Sequence, residues 1–506
     1  MGGGPGGRPT SGTAARRTDA HRRAPARRWS GALVIGLLLV TACASDGEET
    51  GRPSSAPPTT TAAPAAEGST VDADGPGWVQ YGHDLANSRL DTEPSAVTAA
   101  SVADLVPGWS IDGVTGVTGT PTVADGVAYF GDWQGTVHAV DPATGEEQWT
   151  QALGGPVMGS VGIADDGLFA SSGVTLHRLD RATGVIEWEA TTHQHPFAMI
   201  SSSPVVADGL VFQGVASGEV TVPQEDYTFR GSIGAWDAET GERVWRTMTT
   251  PGDETGGAGV GIWSTPAVDS ERGVLYVGTG NTYEEPSSEL ADSILALDVG
   301  SGEVVWSTQF TDPDVFAAGA GGGKDADVGA APNLWTSDGR DLVGAGDKTG
   351  VYHALDRETG EEVWQTSLTP GSMLGGAIGT AAFVDGLLVV TSNVGNPENN
   401  APLNESKVAA LDPATGTVEW ELDLEGTVYA PVSAIPGVAF VGTSTGLLLA
   451  LDAGSGDELW RFQAPAQTGS GPSITEGELL WGYGYNLFEG PGDGGLLTFH
   501  PESGDQ

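Results

Sequence analysis

The feature that most restricts this chain is a unit that returns along most of its length. His138-Ala-Val-Asp-Pro-Ala-Thr-Gly-Glu-Glu-Gln-Trp149 recurs in equivalents ending at Trp188, Trp245, Trp306, Trp364, Trp420 and Trp460. In all seven an Asp stands eight residues before the Trp and a Gly four before it, as Asp141 and Gly145 do for Trp149. A unit of this size cannot bury its own apolar face, so the copies must stack on one another. Ahead of each Asp run two short apolar segments, as in Pro121-Thr-Val-Ala-Asp-Gly-Val-Ala-Tyr-Phe-Gly131, with turn signals at Asp125-Gly126, Gln134-Gly135 and Thr144-Gly145. Each copy therefore reads as four strands, with the Trp packing between units and the Asp and Gly forming a turn.

An eighth copy is cut short at Phe499-His-Pro-Glu-Ser-Gly504 and lacks a Trp strand, while Trp109 lies 40 residues before Trp149 and is left without a unit of its own. The two can complete one shared unit and close a ring. The fold expected is all-β, an eight-bladed β-propeller over residues 73–506. Successive Trp spacings of 39, 57, 61, 58, 56 and 40 concentrate extra residues in the middle blades. Loops of variable length on one face of a rigid scaffold are where function is expected.

Charge narrows the partners. Of 506 residues, 21 are Lys or Arg and 67 are Asp or Glu, a formal net charge of -46. Such a field repels phosphate backbones and excludes nucleic acid as a partner. Seven of the basic residues are arginines before residue 43, and they precede the apolar run Gly31-Ala-Leu-Val-Ile-Gly-Leu-Leu-Leu-Val40. Ten apolar residues suit a signal-peptide core better than a bilayer span. Val40-Thr41-Ala42-Cys43 resembles a bacterial lipobox, and Cys43 is the single cysteine. Residues 1–42 are thus read as a lipoprotein signal and 43–72, rich in Ser, Thr, Pro and Ala, as a flexible tether. A lipid on Cys43 would hold the domain on the extracytoplasmic face of the cell membrane. There is no Cys-x-x-Cys-His haem motif, so any redox chemistry requires a separate electron acceptor.

Three loop residues stand at equivalent places. Glu219, Asn281 and Lys348 each lie just past the second strand of successive blades, and equivalent propeller loops emerge on one face. A carboxylate and an amide oxygen are hard ligands suited to Ca²⁺, and an ammonium can hydrogen-bond an anionic or quinone oxygen. Taken singly, Glu219 reads equally as a solvated acid, Asn281 as a left-handed turn residue, Lys348 as a surface charge and Trp263 as inter-blade core. His193-Gln-His195 has a metal-like spacing but reads as strand histidines.

The repeat resembles that of pyrroloquinoline quinone (PQQ) propellers. Between the repeats, His195-Pro-Phe-Ala, Phe229-Arg-Gly-Ser232, Gly261-Ile-Trp-Ser-Thr-Pro266, Gly278-Thr-Gly-Asn-Thr-Tyr283 and Asp325-Ala-Asp-Val-Gly-Ala330 are similar to PQQ-dependent alcohol dehydrogenases, the polyvinyl-alcohol dehydrogenase branch in particular. The resemblance implies a quinoprotein that oxidises a small or polymeric alcohol with PQQ and Ca²⁺. It implies Glu219 and Asn281 as Ca²⁺ ligands, Trp263 beneath the quinone ring, and Lys348 as a quinone contact. Asp327 matches the general base, and the neighbouring register would choose Asp325. The family's vicinal cysteine pair is absent, and Gly375-Gly-Ala-Ile-Gly379 stands where related enzymes often place a large pocket residue. A non-catalytic propeller lipoprotein acting as an assembly scaffold is the expectation from a different class.

Overall fold

Each copy of the repeated unit folds into one antiparallel sheet. The computed structural model describes residues 1–2, 77–250, 258–317, 325–397, 401–486 and 490–502, and the signal, the tether and Cys43 lie outside these described residues. In the first blade, strands Thr122–Ala124, Val127–Gly131, Thr136–Val140 and Glu147–Ala152 pair in that order. The inner three are buried almost throughout and carry small or apolar residues, whereas the outermost alternates toward solvent. That gradient is what a sheet covered on both faces by its neighbours requires.

Seven further sheets follow in chain order, so the expected eight blades are present. The third departs from four strands, because Ala198–Met199 adds to the long strand Leu210–Ser217. The eighth takes three strands from Ser473–Ile474, Leu479–Asn486 and Gly490–Pro501, and its outermost from Leu105–Thr115. The closing register pairs Leu105 with Pro501, Pro107 with Phe499 and Ile111 with Leu496. The ring closes where the shared unit placed it.

The repeated Trp, Asp and Gly form one joint. Asp141 Oδ1 accepts hydrogen bonds from the N–H groups of Ala143 and Thr144, and Gly145 N–H donates to the Asp141 carbonyl. The turn this makes puts Gly145 at φ +73°, with the Trp109 ring of the preceding blade so close that a Cβ would lie 2.6 Å from it. The same holds for Gly184, Gly241, Gly302, Gly360, Gly416 and Gly456, each at φ between +71° and +76° and facing the previous blade's Trp. Each indole N–H then donates to a carbonyl of the next blade, from Trp109 to Pro142 at 2.9 Å through Trp420 to Ala453 at 2.9 Å. Trp460 completes the circle by donating to Leu105 at 3.0 Å.

A second device holds the inner strands. The segment from Trp78 to Arg89 lies against them, its carbonyls accepting from Val123, Ile163, Val268, Leu334, Phe383 and Ala434, which belong to six different blades. Asn87 donates its side-chain amide to the carbonyls of Pro266 and Pro332. Arg89, fully buried, donates to the carbonyls of Tyr81 and Val432 and to the hydroxyls of Thr120 and Ser433, and packs on the rings of Trp78 and Tyr81. Burial draws its guanidinium down to about 10. A buried arginine is tolerated here because carbonyls and aromatic faces replace its water.

The joint can be tested at two glycines. Gly386 also has a left-handed φ, +78°, but a Cβ there meets nothing within 4 Å. Gly386→Ala should cost about 1 kcal/mol from backbone strain alone. Gly360→Ala adds a clash with Trp306 and should cost about 1–3 kcal/mol more. Equal losses for the two variants in denaturant unfolding would contradict the joint.

Candidate active site

A cavity of about 390 Å³ lies on the propeller axis, because all eight blades line it. Each contributes from the segment entering its innermost strand: Thr118, Met158, Ser203, Trp263, Ala331, Ile378, Pro431 and Gly469. Tyr81 reaches the cavity from the segment that binds the inner strands. Met199, Met373, Leu374, Tyr429 and Tyr485 make the remaining wall largely apolar.

Trp263 and Lys348 bring the chemistry to this cavity. Gly329 lies so close under the Trp263 ring that a Cβ would be 1.9 Å away, so only glycine lets the indole lie there. The Trp263 indole N–H donates to Asp327 Oδ2 at 3.2 Å. Lys348 Nζ lies 2.7 Å from Asp325 Oδ1 and 2.9 Å from Asp327 Oδ2, and 5.6 Å from the centre of the Trp263 ring. Asp327 Oδ1 accepts from the Asn281 backbone N–H at 2.7 Å. Asp327 thus touches three of the residues singled out in the sequence, while Asp325, at φ +56°, touches Lys348 alone of them.

Burial dominates the electrostatics. It pushes Asp325 up to about 7, with Lys348 pulling the other way and the Asp327 charge adding to the rise. Burial would lower Lys348, but the two carboxylates outweigh it and hold the ammonium above the ordinary lysine range. Two more acids, unmarked in the sequence, complete the cluster. Asp314 accepts from the Ala326 N–H at 2.6 Å and is raised by its burial. Asp292 is wholly buried, and among the described residues neither carboxylate oxygen has a hydrogen-bond partner. Burial first, then the charges of Asp327, Asp314 and Asp325, push Asp292 well above the usual carboxylate range.

Glu219 follows Leu210–Ser217 in a single 3-10 turn, Gly218–Thr221, capped by the Ser217 hydroxyl. Its buried carboxylate accepts from the Phe229 N–H at 2.8 Å and from the Thr228 N–H at 3.2 Å. The Phe229 carbonyl accepts from Gly259, and Val260 donates to the Asn281 carbonyl, so a small ladder joins the Glu219 and Asn281 loops. The Tyr283 hydroxyl donates to the Ser217 carbonyl at 3.4 Å, and burial, then the charges of Asp327 and Glu219, raise its phenol well above the ordinary range. Among the described residues, no three His, Cys, Asp or Glu side chains form a ready cation cage. Asn281 supplies a different donor: its amide nitrogen is committed to the carbonyls of Thr282 and Phe316, and among the described residues its Oδ1 makes no hydrogen bond. Glu219 and Asn281 therefore fit a hard cation, and the Trp263 face beside Lys348 fits a flat, oxygen-bearing ring.

The expected strand histidines are a correction. His193 and His195 lie in the loop after Ile186–Thr191. The His195 N–H donates to His193 Nδ1 at 3.0 Å and the Phe197 N–H to His195 Nδ1 at 3.2 Å, so each imidazole caps local backbone that a strand would have paired. His195 Nε2 lies 3.0 Å from Thr228 Oγ1 and 3.6 Å from Glu219 Oε1, which makes it a positioning residue for that carboxylate.

An eight-bladed propeller whose axial cavity is lined by a tryptophan and a lysine, the lysine paired with two aspartates, has the form of a quinoprotein dehydrogenase. Residues 181–372 match the family profile described as glucose/ethanol/alcohol dehydrogenase, beta-propeller domain, and residues 93–225 and 347–506, more than half the chain, match the one described as outer membrane protein assembly factor BamB. The chain belongs to the PQQ-type β-propeller family and is PQQ-dependent alcohol dehydrogenase-like. A polyvinylalcohol dehydrogenase from a Pseudomonas species is 29% identical over 471 residues, covering 81% of this chain and 73% of its own length. A quinohemoprotein alcohol dehydrogenase from Comamonas testosteroni is 26% identical over 524 residues, covering 85% and 68%. The crystal structure of the quinohemoprotein alcohol dehydrogenase from Comamonas testosteroni superposes with a TM-score of 0.70 at 23% identity over 85% of this chain and 81% of that one. BamB from Moraxella catarrhalis gives 0.53 at 16% identity, over 79% and 99%. Both confirm the propeller.

Asp292 makes the acid cluster visible in stability. A carboxyl raised in the folded state binds more protons there than when unfolded. Its contribution is therefore complete below about pH 4 and is lost as pH rises toward the folded value. The melting temperature of Asp292→Asn should fall less between pH 5 and pH 8 than that of the wild type, and parallel pH profiles would contradict the assignment.

Proposed function

We propose that this chain is an extracytoplasmic quinoprotein that oxidises an alcohol with PQQ and Ca²⁺ and passes the electrons to a separate acceptor. The observation that carries the reading is the bonding of Asp327 to Trp263 and Lys348, which both line the axial cavity, with Asn281 bonded to the same aspartate and the Glu219 loop laddered to that of Asn281. Glu219 and Asn281 Oδ1 would hold the cation, and the Trp263 face with the Lys348 ammonium would hold PQQ. When bound, PQQ supplies the two-electron acceptor that protein side chains lack.

The protein's own part is position, proton and field. Asp327 is the base in this reading: fixed by Trp263 and the Asn281 N–H, it takes the hydroxyl proton of the alcohol at a carboxylate oxygen. Lys348 offsets the charge of the aspartates, and Asp325 holds Lys348 in place. The apolar wall excludes water around the alcohol and favours a substrate with hydrocarbon near its hydroxyl. A scaffold role has the broader family match on its side. Against it stands the retention of a buried acid–lysine–tryptophan cluster that inter-blade packing does not need.

Outside the propeller, Cys43 in this proposal carries the lipid that keeps the enzyme at the membrane.

Purified protein given PQQ with Ca²⁺ should show quinone absorbance and alcohol-dependent dye reduction. Glu219→Gln should weaken Ca²⁺-dependent PQQ binding. Asp327→Asn should keep PQQ but lose dye reduction by about 10²-fold or more, and Asp325→Asn should lose less. A dead Asp325→Asn with an active Asp327→Asn moves the base by two residues, and no turnover with any alcohol removes the enzymatic reading. Separately, Cys43→Ala should release the protein from the membrane fraction, and unchanged attachment and processing would refute the lipid anchor.

A further inference from the structure

Tyr429 belongs to the wall of the axial cavity and also lines a second cavity, of about 320 Å³. Asn404 of the sixth blade, Thr427 and Ser444 beside and within the seventh, and Gln463 and Gln467 on the way to the eighth line it too. Ser444 lies two residues past the strand Val438–Gly442, as Lys348 lies two past Arg340–Gly346, so this groove is on the face that carries Lys348, Glu219 and Asn281. The chain leads from one cavity to the other. Two residues after Tyr429 comes Pro431, and two after Gln467 comes Gly469, and both of these line the axial cavity.

The groove is preset. The Thr427 N–H and hydroxyl both donate to Ser444 Oγ, at 3.0 and 2.8 Å, and Gln463 Nε2 donates to the Thr445 carbonyl at 2.8 Å, so little ordering is left for a ligand to bring about. Among the described residues, Gln463 Oε1 and the side-chain amides of Asn404 and Gln467 make no hydrogen bond. Tyr429 Oη is shut off from solvent without a hydrogen bond of good geometry, and the Thr427 hydroxyl near it is already given to Ser444. Phenol and carboxamide groups together donate and accept, and a hydroxyl is the small uncharged group that does the same.

We infer that this groove is a subsite for a second hydroxyl of the alcohol substrate, one separated from the reacting hydroxyl by a stretch of hydrocarbon. The inference rests on the quinone reading above: the hydroxyl to be oxidised lies at Asp327, the carbon chain lies along the apolar wall, and the remote hydroxyl reaches Tyr429 and Gln467. Within the apolar cavity alone that remote hydroxyl would lose its water and gain nothing. The groove returns the hydrogen bonds that the wall removes, and a monohydric alcohol has no use for them.

The test is kcat/KM for a series of terminal diols, each against the monohydric alcohol of the same length, by dye reduction on protein loaded with PQQ and Ca²⁺. Short diols cannot reach the groove, and for them the ratio should stay at or below the statistical factor of about two. For longer diols it should rise to about tenfold or more, and in Gln467→Leu and Tyr429→Phe it should fall back to the short-diol value. Both substrates are read on one preparation, so the ratio does not depend on how much of a variant is folded or loaded. Saturation-transfer NMR reads binding apart from turnover: the long diol should receive saturation from the wild type and lose most of it in Gln467→Leu. A wild-type ratio that stays low at every length, or a raised ratio or saturation transfer that the variants leave unchanged, would overturn the subsite and leave the quinone reading standing. No turnover with any alcohol removes both.

Discussion

Everything at the axis depends on the contact between an indole and a glycine. A Trp ring can lie on the next blade's turn only because that turn carries no Cβ, and the turn adopts its left-handed corner only because the residue is Gly. One residue type thus satisfies two independent demands. The indole N–H then fixes the angle between blades through a carbonyl on the neighbour. Repeated round the ring, the joint leaves the inner strands no freedom to splay, and loops from the fourth and fifth blades can meet at the distances seen around Asp327.

Those loops carry a concentration of acid that the scaffold alone would not favour. Asp325 and Asp327 contact one ammonium, Asp292 and Asp314 lie within reach of its charge, and burial raises Asp292, Asp314 and Asp325. A fold stabilised only by packing would have replaced such a cluster with apolar side chains at little loss. The cluster lies near a buried glutamate and an amide oxygen that makes no hydrogen bond among the described residues, and this is the physical ground for the cation site proposed above.

The blades were legible in the sequence because Asp, Gly and Trp each do a local task at a fixed spacing, visible without knowing any neighbour. Glu219, Asn281 and Lys348 were legible for a related reason, since equivalent loop positions in a repeat share a face. Asp292 and Asp314 were not, because their importance comes from residues of other blades packed around them. The strand reading of His193 and His195 followed from their alternation, which imitates a pleat, whereas the imidazoles cap their own backbone. The segment from Trp78 to Arg89 carries no repeat at all. Its role emerged only when six blades were found donating to its carbonyls.

The eighth blade has a consequence for how the molecule comes into being. Among the described residues its outermost strand, Leu105–Thr115, precedes every other strand, and its partner, Gly490–Pro501, is the last. Until those final residues emerge during synthesis, the first strand has nothing to pair with and the ring has two raw edges. Folding from one end toward the other can build blades but cannot finish any inner surface that needs the full circle. The closing pair works as a checkpoint on completeness: a chain truncated before Gly490 retains an open sheet edge, the feature by which aggregation begins.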